Sequence, residues 1–328
     1  MDTLRIGNVE IERSCALSPM ASVADRAYRT ICKEFGASLL TSEMVSAKGL
    51  CYSSTKTEEL CSITEIERPY AIQLFGEDPY FMAKAVGIIK KYKPDLIDIN
   101  MGCPVPKVVN PGGGSALMKT PELASDIVKA MCDVSDCPIT VKIRAGWDDE
   151  HINAVEFAAK MEEAGAAAIA VHPRTRRQMY TGLSDWSIIR DVKNAVSVPV
   201  IGNGDIMDCF DAERMYNETG CDLVSLARAS NGRPWIFKEI RDYLEDGTIH
   251  YEPSVEERMD IMLRHVGLLI QFKGEDTGIR EARKNVGWYF KGLRGSSAFR
   301  QRAGALKSFD ELKRMADEFT QLSKESED

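Results

Sequence analysis

Eight short apolar segments alternate with amphipathic ones over about 245 residues of the chain. The apolar segments are continuous rather than alternating, which is typical of parallel strands covered on both faces. The predicted strands are residues 15–17, 39–41, 71–75, 96–100, 139–143, 168–172, 200–203 and 223–226. Helical periodicity between them predicts helices such as 26–34, 80–92, 121–132, 153–164 and 209–218. Eight βα units of this length predict an α/β fold of the (β/α)8 TIM-barrel type. An open, doubly wound sheet lacks this even spacing.

The last eighty or so residues follow a different pattern, with no strand pattern after Ile249. Three helices are predicted, at residues 255–272, 279–291 and 309–322. Glycines are predicted to break them, at Gly274, Gly278 and Gly292. The Asp246-Gly247 turn and Pro253 mark the junction. We therefore predict two domains, a TIM barrel over residues 1–247 and a helical bundle over residues 248–328.

The charge of the chain is unevenly distributed. The net charge is −8, yet residues 264–307 contain ten Lys or Arg and three Asp or Glu residues, an excess of seven positive charges. A local basic surface on an acidic protein is typical of a module that binds phosphates. The alternative is a solvated helix face, and the window alone leaves both interpretations open. The candidate phosphate contacts are Arg280, Arg283, Lys284, Lys291 and Arg294.

The cysteines and the apolar runs exclude several classes of protein. The nine cysteines are scattered, form no C-x-x-C pair and do not lie near a histidine at metal-ligand spacing. This pattern argues against a disulfide framework and against a metal site. The most apolar short run, residues 166–171, is too brief to span a bilayer. We therefore expect a cytoplasmic protein with reduced thiols, no bound metal and no membrane association.

One cysteine lies in a setting that favours chemistry. Residues 98–107 read Asp-Ile-Asn-Met-Gly-Cys-Pro-Val-Pro-Lys, so that a polar loop opens on Asn100 and carries Cys103 between a glycine and a proline. Such a loop at the C-terminal end of a strand is poorly placed to fill a core, and loops on rigid scaffolds carry function. The alternative is a small buried hydrophobic residue. The setting favours a catalytic Cys103.

Other polar residues follow the predicted strands where TIM barrels place their active sites. They are Pro19, Met20, Ala21, Gln73, Lys142, Arg144, His172, Arg174, Asn203, Gly204, Asp205, Ala227 and Arg228. The cations Lys142, His172 and Arg228 would repel each other at one end of the barrel unless an anion lies among them. The loops after strands seven and eight often bind a phosphate in such barrels. No G-x-G-x-x-G or P-loop is present, which argues against a Rossmann dinucleotide site or an NTPase.

A mononucleotide cofactor such as FMN fits this set. Gln73 and Asn100 are candidates for the rim of the flavin ring, and Lys142 for the pyrimidine edge, where a cation stabilises the anionic reduced flavin. Two alternatives stay open, because Gln73 is also consistent with a strand cap and His172 with a hydrogen-bonded core residue.

Seven motifs resemble the tRNA-dihydrouridine synthase family, in order and at the predicted strands, so that the resemblance covers nearly the whole chain. They are Pro-Met-Ala at 19–21, Gln-Leu-Phe-Gly at 73–76, Asp-Ile-Asn-Met-Gly-Cys-Pro at 98–104, Lys-Ile-Arg at 142–144, Val-His-Pro-Arg-Thr-Arg at 171–176, Gly-Asn-Gly-Asp-Ile at 202–206 and Gly-Arg-Pro-Trp-Ile-Phe at 232–237. Residues 287–292 also resemble the tRNA-facing helical domain of that family, nearest to its bacterial DusB-type branch. This chain has Ala227 where the family pattern has a glycine.

The resemblance implies a two-step reaction. NADPH reduces FMN, and the flavin N5 passes a hydride to C6 of a uridine in the tRNA D-loop while a cysteine gives a proton to C5. Carried over by motif, Cys103 is the proton donor and Asn100 lies beside the reacting base. The cofactor residues implied are Gln73, Lys142, His172, Asn203, Gly204, Asp205 and Arg228, with Pro19, Met20, Ala21 and Ala227 beside them. Arg144, Arg174 and the basic tail are candidates for the substrate. The branch favours the uridine at position 17.

Two other functions are consistent with parts of this pattern. One is an FMN barrel that acts on a free pyrimidine or dihydroorotate, but a free base needs no basic helical tail. The other is a non-catalytic RNA-binding barrel, against which Cys103 and Lys142 argue. A yellow protein would exclude the second alternative, and activity on tRNA rather than on free uracil would exclude the first.

Overall fold

The computed structural model describes residues 2–325, in which eleven strands are found. They are β1 Thr3–Ile6, β2 Val9–Glu12, β3 Cys15–Leu17, β4 Leu40–Thr41, β5 Val45–Ser46, β6 Tyr70–Phe75, β7 Leu96–Met101, β8 Ile139–Arg144, β9 Ala168–His172, β10 Val200–Asn203 and β11 Leu223–Leu226. Eight of them, β3, β4 and β6 to β11, pair in parallel with their neighbours and close into a barrel. The short β5 pairs with the C-terminal end of β6 beyond β4. The predicted TIM barrel is therefore confirmed.

Fourteen α-helices are present in the described residues. They are α1 Arg26–Glu34, α2 Ala47–Cys51, α3 Thr55–Glu59, α4 Pro79–Ile89, α5 Pro106–Val109, α6 Pro121–Cys132, α7 Ala154–Glu163, α8 Ser187–Ala195, α9 Cys209–Thr219, α10 Ile236–Asp246, α11 Val255–Lys273, α12 Glu275–Tyr289, α13 Ser296–Ala303 and α14 Phe309–Glu325. Four 3₁₀ helices are Glu65–Glu67, Lys90–Tyr92, Gly114–Lys119 and Arg228–Ser230. The helix predicted over 80–92 therefore ends as a 3₁₀ turn. Among residues 2–325, every helix is too short or too polar to span a bilayer.

The side chains inside the barrel form layers, because alternate residues of a strand point to the same face. The lower layers are apolar and contain Ala71, Leu96, Ala168, Ile201 and Leu223. Above them the inward positions become polar. The polar end is the C-terminal end of the strands, so the barrel carries its functional groups at one end and a dry core at the other.

An N-terminal hairpin, which the sequence did not predict, covers the apolar end of the barrel. The antiparallel strands β1 and β2 pair from Thr3 with Glu12 to Ile6 with Val9. Ile6 and Ile11 are fully buried against the lower layers of the barrel. Their burial removes apolar surface from water and closes this end.

The predicted break at Gly278 is wrong, because this glycine lies inside α12. A Cβ atom there would lie 2.9 Å from the Cα atom of Ile270 on α11, so the glycine lets the two helices pack in direct contact. The turn is instead made by Gly274, which has φ of +77° and separates α11 from α12. A glycine at a helix crossing and a glycine in a turn look alike in sequence.

The helical tail packs directly on the loop that follows β11. Gly232 has φ of +67°, and a Cβ atom there would lie 2.5 Å from the carbonyl carbon of Trp288 on α12. On the barrel side, Tyr28 donates a hydrogen bond to the carbonyl of Ser230, and its ring lies 5.1 Å from that of His265 on α11. The helical tail is therefore fixed against the loop that carries Arg228.

Candidate active site

A cavity of about 360 Å³ opens at the C-terminal end of the barrel. Every barrel residue predicted for catalysis, cofactor or substrate lines it, namely Pro19, Met20, Ala21, Gln73, Asn100, Cys103, Lys142, Arg144, His172, Arg174, Asn203, Gly204, Asp205, Ala227 and Arg228. Parallel strands bring their C-terminal ends to one edge, which is why residues so distant in sequence meet here. The five predicted tail residues do not line this cavity.

The backbone of the Cys103 loop is held from several sides. Asn100 Oδ1 accepts hydrogen bonds from the N–H of Gly102, at 3.2 Å, and of Cys103, at 2.8 Å. The carbonyl of Cys103 accepts from both the N–H and the hydroxyl of Ser115, each at 3.0 Å. Gly114 has φ of +56°, and a Cβ atom there would lie 2.8 Å from the Cys103 carbonyl oxygen. The loop is therefore fixed before any ligand binds.

The Cys103 thiol is suited to hold a proton rather than to lose it. The residue is half-buried and lines the cavity. Burial raises the pKa of the Cys103 thiol above its ordinary value, although the Val105 N–H and the Arg144 charge act in the opposite direction. A cysteine nucleophile has the reverse property, a lowered pKa. The thiol is therefore protonated at neutral pH and can act as an acid.

A chain of side-chain hydrogen bonds leads down from this loop into the barrel. Asn100 Nδ2 donates to Gln73 Oε1 at 2.8 Å, and Gln73 Nε2 donates to Asp98 Oδ2 at 2.7 Å. The other oxygen of Asp98 accepts from the Thr140 hydroxyl at 2.6 Å. Burial raises the pKa of Asp98 to about 6, against the hydrogen bonds of Gln73 and Thr140, which lower it. The two amides thus occupy defined orientations.

Lys142 presents an ammonium group within the cavity. Its Nζ donates to Asn203 Oδ1 at 3.0 Å, and Asn203 Nδ2 in turn donates to the carbonyl of Ser225 at 2.8 Å. Burial lowers the pKa of Lys142 to about 8; Asp98 opposes this effect, and the Arg144 charge adds to it. The group is mostly charged at neutral pH, and an anion beside it would increase that fraction.

His172 does not belong to the cations of the site, in contrast to the expectation from sequence. Burial lowers the pKa of His172 to about 2, and the nearby charges of Lys142, Arg144 and Arg174 contribute. Its Nε2 lies 3.3 Å from Arg174 Nη1. Because a guanidinium only donates, Nε2 accepts and the ring proton is on Nδ1. The imidazole is therefore a neutral hydrogen-bonding group.

Arg174 is buried and its hydrogen-bond donors are used inside the protein. It donates to the carbonyls of Thr181 and Gly182, to the hydroxyl of Ser184 and to both carboxylate oxygens of Asp205. With the contact to His172, all five N–H groups have partners. The structure thus gives Arg174 a role in holding the loop after β9.

Arg144 is also buried, and it connects two loops. Its Nε donates to the carbonyl of Gly102 at 2.7 Å, and its Nη1 donates to the carbonyls of Thr175 and Met179. The guanidinium also lies 5.5 Å from the ring centroid of Tyr180. Arg144 therefore ties the Cys103 loop to the loop after β9.

The loop after β10 has a backbone that favours glycine. Gly204 has φ of +122°, and a Cβ atom there would lie 2.6 Å from the Ser184 hydroxyl. Asp205, which follows, also has positive φ, of +55°. Burial opposes ionisation of Asp205, but the hydrogen bonds from Arg174 and the Ser184 N–H outweigh it and lower the pKa. This carboxylate lies 3.8 Å from Arg228, which is exposed at the edge of the cavity.

Ala227, where the resembling family has a glycine, has φ of −120°. This φ is not left-handed, although the ψ of −103° lies outside the α and β regions. The charged side chains that line the cavity are four cations, Lys142, Arg144, Arg174 and Arg228, and one carboxylate, Asp205. This excess of positive charge suits an anionic ligand.

A family model described as dihydrouridine synthase matches residues 16–325. The chain belongs to the dihydrouridine synthase family. A relative named tRNA-dihydrouridine synthase B from Vibrio vulnificus is 41% identical over 303 residues, which cover 92% of this chain and 94% of the relative. A relative of the same name from Pseudomonas aeruginosa is 39% identical over 310 residues, covering 94% and 93%.

Two solved structures share the barrel of this dihydrouridine synthase family member. Histamine dehydrogenase from Rhizobium sp. 4-9 is similar with a TM-score of 0.56 at 15% identity, over 81% of this chain and 50% of that one. A morphinone reductase is similar with a TM-score of 0.54 at 12% identity, over 78% and 93%. At these identities the likeness concerns the fold.

Some residues of this family member's cavity were not predicted from sequence. They are Ser18, Met44, Gly102, Pro104, Val105, Ile143, Tyr180, Ile206, Met207, Ser225 and Ala229. Tyr180 is the most informative of them, because its ring lies 5.5 Å from both the Arg144 and the Arg228 guanidinium. It lies on a loop eight residues after β9, where position alone gives no signal. Ser18 and Ser225 could have been predicted from the sequence, because both lie near the C-terminal end of a strand.

The tail of this dihydrouridine synthase family member carries cations that its own carboxylates do not pair. Within residues 2–325, Arg264, Lys273 and Arg302 form ion pairs with acidic side chains. No ion pair among the described residues involves Arg280, Arg283, Lys284, Lys291, Arg294, Arg300 or Lys307. Arg283 differs from the rest, because it is half-buried and its Nε donates to the carbonyl of Leu306 at 2.9 Å. The others are exposed.

Proposed function

We propose that this protein reduces the C5=C6 bond of a uridine in the D-loop of tRNA to dihydrouridine, with FMN as cofactor and NADPH as reductant. The observation that carries the proposal is the Cys103 thiol, held on a fixed loop at the edge of a cavity with excess positive charge. The names of the relatives from Vibrio vulnificus and Pseudomonas aeruginosa support the same reaction.

The residues present suit FMN. Lys142 and Arg228 supply cations for its anionic groups, and the N–H groups of the loop after β10 lie where such barrels bind a phosphate. Hydrogen bonds are available from Gln73, Asn203 and the neutral His172. The apolar part of the wall is formed by Pro19, Met20, Ala21 and Ala227. Asp205 contributes indirectly, because it holds the loop through Arg174. When bound, FMN supplies the hydride chemistry that no side chain can perform.

The side chains of the chain itself supply the rest of the reaction. Cys103 gives the proton from Sγ to C5 of the uracil and is then reprotonated from solvent. Asn100 fixes the Cys103 backbone, and Lys142 supplies a positive charge that would stabilise the negative charge gained by the cofactor on reduction. The apolar side chain of Met20 in the cavity wall limits the access of water to the reacting atoms.

The two parts of the chain divide this work. We assign residues 1–247 to cofactor binding and chemistry, and residues 248–328 to tRNA binding. The exposed, unpaired basic side chains Arg280, Lys284, Lys291 and Arg294 support this assignment, because they are available to phosphates. The resemblance to the DusB-type branch of the family favours the uridine at position 17 of the tRNA.

One experiment tests the function as a whole. The purified protein is incubated with NADPH and with tRNA from a strain that lacks dihydrouridine, and the dihydrouridine content is mapped by position. We expect a yellow protein that modifies tRNA but leaves free uracil and dihydroorotate unchanged. Activity on a free pyrimidine would favour a small-molecule flavin reductase instead. A colourless protein that binds tRNA without changing it would favour an RNA-binding barrel.

A further inference from the structure

A buried carboxylate lies beneath the cavity, and the proposed reaction does not use it. Asp98 is on β7 inside the barrel, two residues before Asn100, and is 5% exposed. It borders a second, small cavity of about 30 Å³ below the first, together with Thr140 and Lys142. Burying an ionisable carboxyl group is unfavourable unless its oxygens are hydrogen-bonded. Both of its oxygens accept hydrogen bonds, so it is satisfied and specifically oriented.

The hydrogen bonds above Asp98 run in one direction only. Asn100 must direct Oδ1 towards the Cys103 loop, because two backbone N–H groups point at it. Its Nδ2 then needs an acceptor, which is Gln73 Oε1. Gln73 Nε2 needs an acceptor in its turn, which is Asp98 Oδ2. Rotating either amide by 180° would bring donor against donor.

We propose that Asp98 is a positioning residue that ends this chain as an obligate acceptor and thereby fixes Gln73 and Asn100 for catalysis. An ionised carboxylate cannot donate, so one arrangement of the chain is allowed. That arrangement holds the Cys103 backbone through Asn100 and leaves the second N–H of Gln73 for a ligand in the cavity.

Burial disfavours the ionised form of Asp98, whereas its two hydrogen bonds and the charge of Lys142 on β8 favour it. No other acidic side chain of the described residues borders the small cavity. Gln73 on β6 and Thr140 on β8 donate to it, and both lie directly opposite Asp98 in the register of the barrel. The remaining polar neighbours around the small cavity are Ser18, Thr41 and Ser225, which are uncharged. The carboxylate therefore differs from an asparagine in charge and in its inability to donate.

The test compares Asp98→Asn with Thr140→Val. The amide introduced at position 98 matches the shape of the carboxyl group but can donate to Gln73 Oε1, which permits the reversed chain. The matched control, Thr140→Val, removes the other hydrogen bond of Asp98 and leaves the chain to Cys103 intact. The first measurement is alkylation of Cys103 in FMN-free protein, followed on its own peptide by mass spectrometry because other cysteines are present. We expect Cys103 to be alkylated about fivefold faster in Asp98→Asn, a factor that corresponds to the loss of about one hydrogen bond. In Thr140→Val, the alkylation rate should equal that of the parent protein.

The second measurement rests on the proposed function. It is the rate at which tRNA oxidises the NADPH-reduced enzyme. We expect Asp98→Asn to slow this step about 10- to 100-fold through misplacement of the proton donor, with reduction by NADPH little changed. If the parent protein does not react with tRNA at all, the proposed function fails, and the alkylation experiment still tests the positioning role.

An exchanged pair provides the decisive control. In the double variant Gln73→Glu with Asp98→Asn, the new carboxylate accepts from both the amide introduced at position 98 and the amide of Asn100, so Asn100 is oriented as in the parent. We expect alkylation of Cys103 to return to the parent rate, while FMN binding is weakened because the second N–H of Gln73 is lost. Equal alkylation in Asp98→Asn and Thr140→Val, or no recovery in the double variant, would overturn the proposal. If Asp98→Asn does not fold, the double variant decides: the parent rate supports the proposal and an altered rate refutes it.

Discussion

The Arg174 guanidinium donates to both carboxylate oxygens of Asp205, at 2.8 Å to Oδ1 and 2.6 Å to Oδ2. The arginine follows β9 and the aspartate follows β10, so this pair joins two neighbouring loops at the edge of the cavity. Arg174 is buried, whereas Asp205 is half-buried. Arg174, which was predicted as a substrate contact, therefore holds two loops of the site together.

Arg174→Met should destabilise the protein and loosen the loop after β9. It removes all five N–H donors of the guanidinium and leaves Asp205 without its buried partner, a loss of about 2–4 kcal/mol in the free energy of unfolding. Urea denaturation measures this loss, and limited proteolysis reports cleavage near Gly182. Arg177→Met, at an exposed neighbouring arginine, is the control and should change neither result. A stable Arg174→Met variant with an intact loop would restore this arginine as a candidate substrate contact.

Cys103→Ala should separate the two half-reactions. Loss of a general acid slows proton transfer about 10²- to 10⁴-fold, so oxidation of the reduced enzyme by tRNA should slow by that factor. Reduction of the flavin by NADPH should be unchanged, because it needs no thiol. Stopped-flow absorbance of the flavin measures both steps. Cys51→Ala, at another half-buried cysteine, is the control. Normal single-turnover oxidation by tRNA in Cys103→Ala would rule out the proposed role.

Lys142→Met should weaken FMN binding about 10- to 100-fold, because it removes one charge-assisted interaction. The pKa of about 8 adds a pH dependence. Below pH 8 the ammonium is charged and supports binding, and as pH rises through 8 the charge and part of the affinity are lost. Fluorescence titration of FMN from pH 6 to 10 tests this, with the exposed Lys129→Met as control. The dependence of FMN affinity on pH should be absent in Lys142→Met. If it is unchanged, another titrating group is responsible for it.

His265 should make the protein less stable in acid. Burial lowers its pKa to about 4, with Asp25 opposing and Lys273 adding to the shift. The unfolded chain has the ordinary value of about 6.5. Between pH 6.5 and 4 the unfolded state binds a proton that the folded state does not, so stability falls as pH falls, by about 1.4 kcal/mol per unit at most. His265→Gln should reduce this slope in urea denaturation, whereas His250→Gln, at an exposed histidine, should not.

Lys284→Ala with Lys291→Ala should weaken tRNA binding without changing FMN content. Both side chains are exposed, and neither forms an ion pair with another described residue. Loss of each phosphate contact should reduce the slope of log affinity against log salt by about one unit. Arg302→Ala is the control, because that arginine is already paired with Glu318. Arg283 is less suitable for this test, since it holds the carbonyl of Leu306. Unchanged affinity and salt slope would place the RNA surface elsewhere.

The barrel and its cavity were predictable from sequence, because strand length and alternation determine which residues reach the catalytic end. The sequence placed Asn100 and Cys103 at this end for this reason, and both line the cavity. The inward role of Arg144 and Arg174 was not predictable, because their partners are backbone carbonyls that leave no pattern in the sequence. The neutral state of His172 depends on burial and on the neighbouring positive charges, which only the assembled site brings together.

The N-terminal hairpin has a kinetic consequence. It fills the apolar end of the barrel, so the catalytic cavity opens at the opposite end. If the proposed function holds, the nicotinamide and the uracil must approach the same cofactor through the same opening. They must then take turns, and each should exclude the other. Steady-state rates with both substrates varied should give parallel double-reciprocal lines, and excess tRNA should inhibit competitively against NADPH.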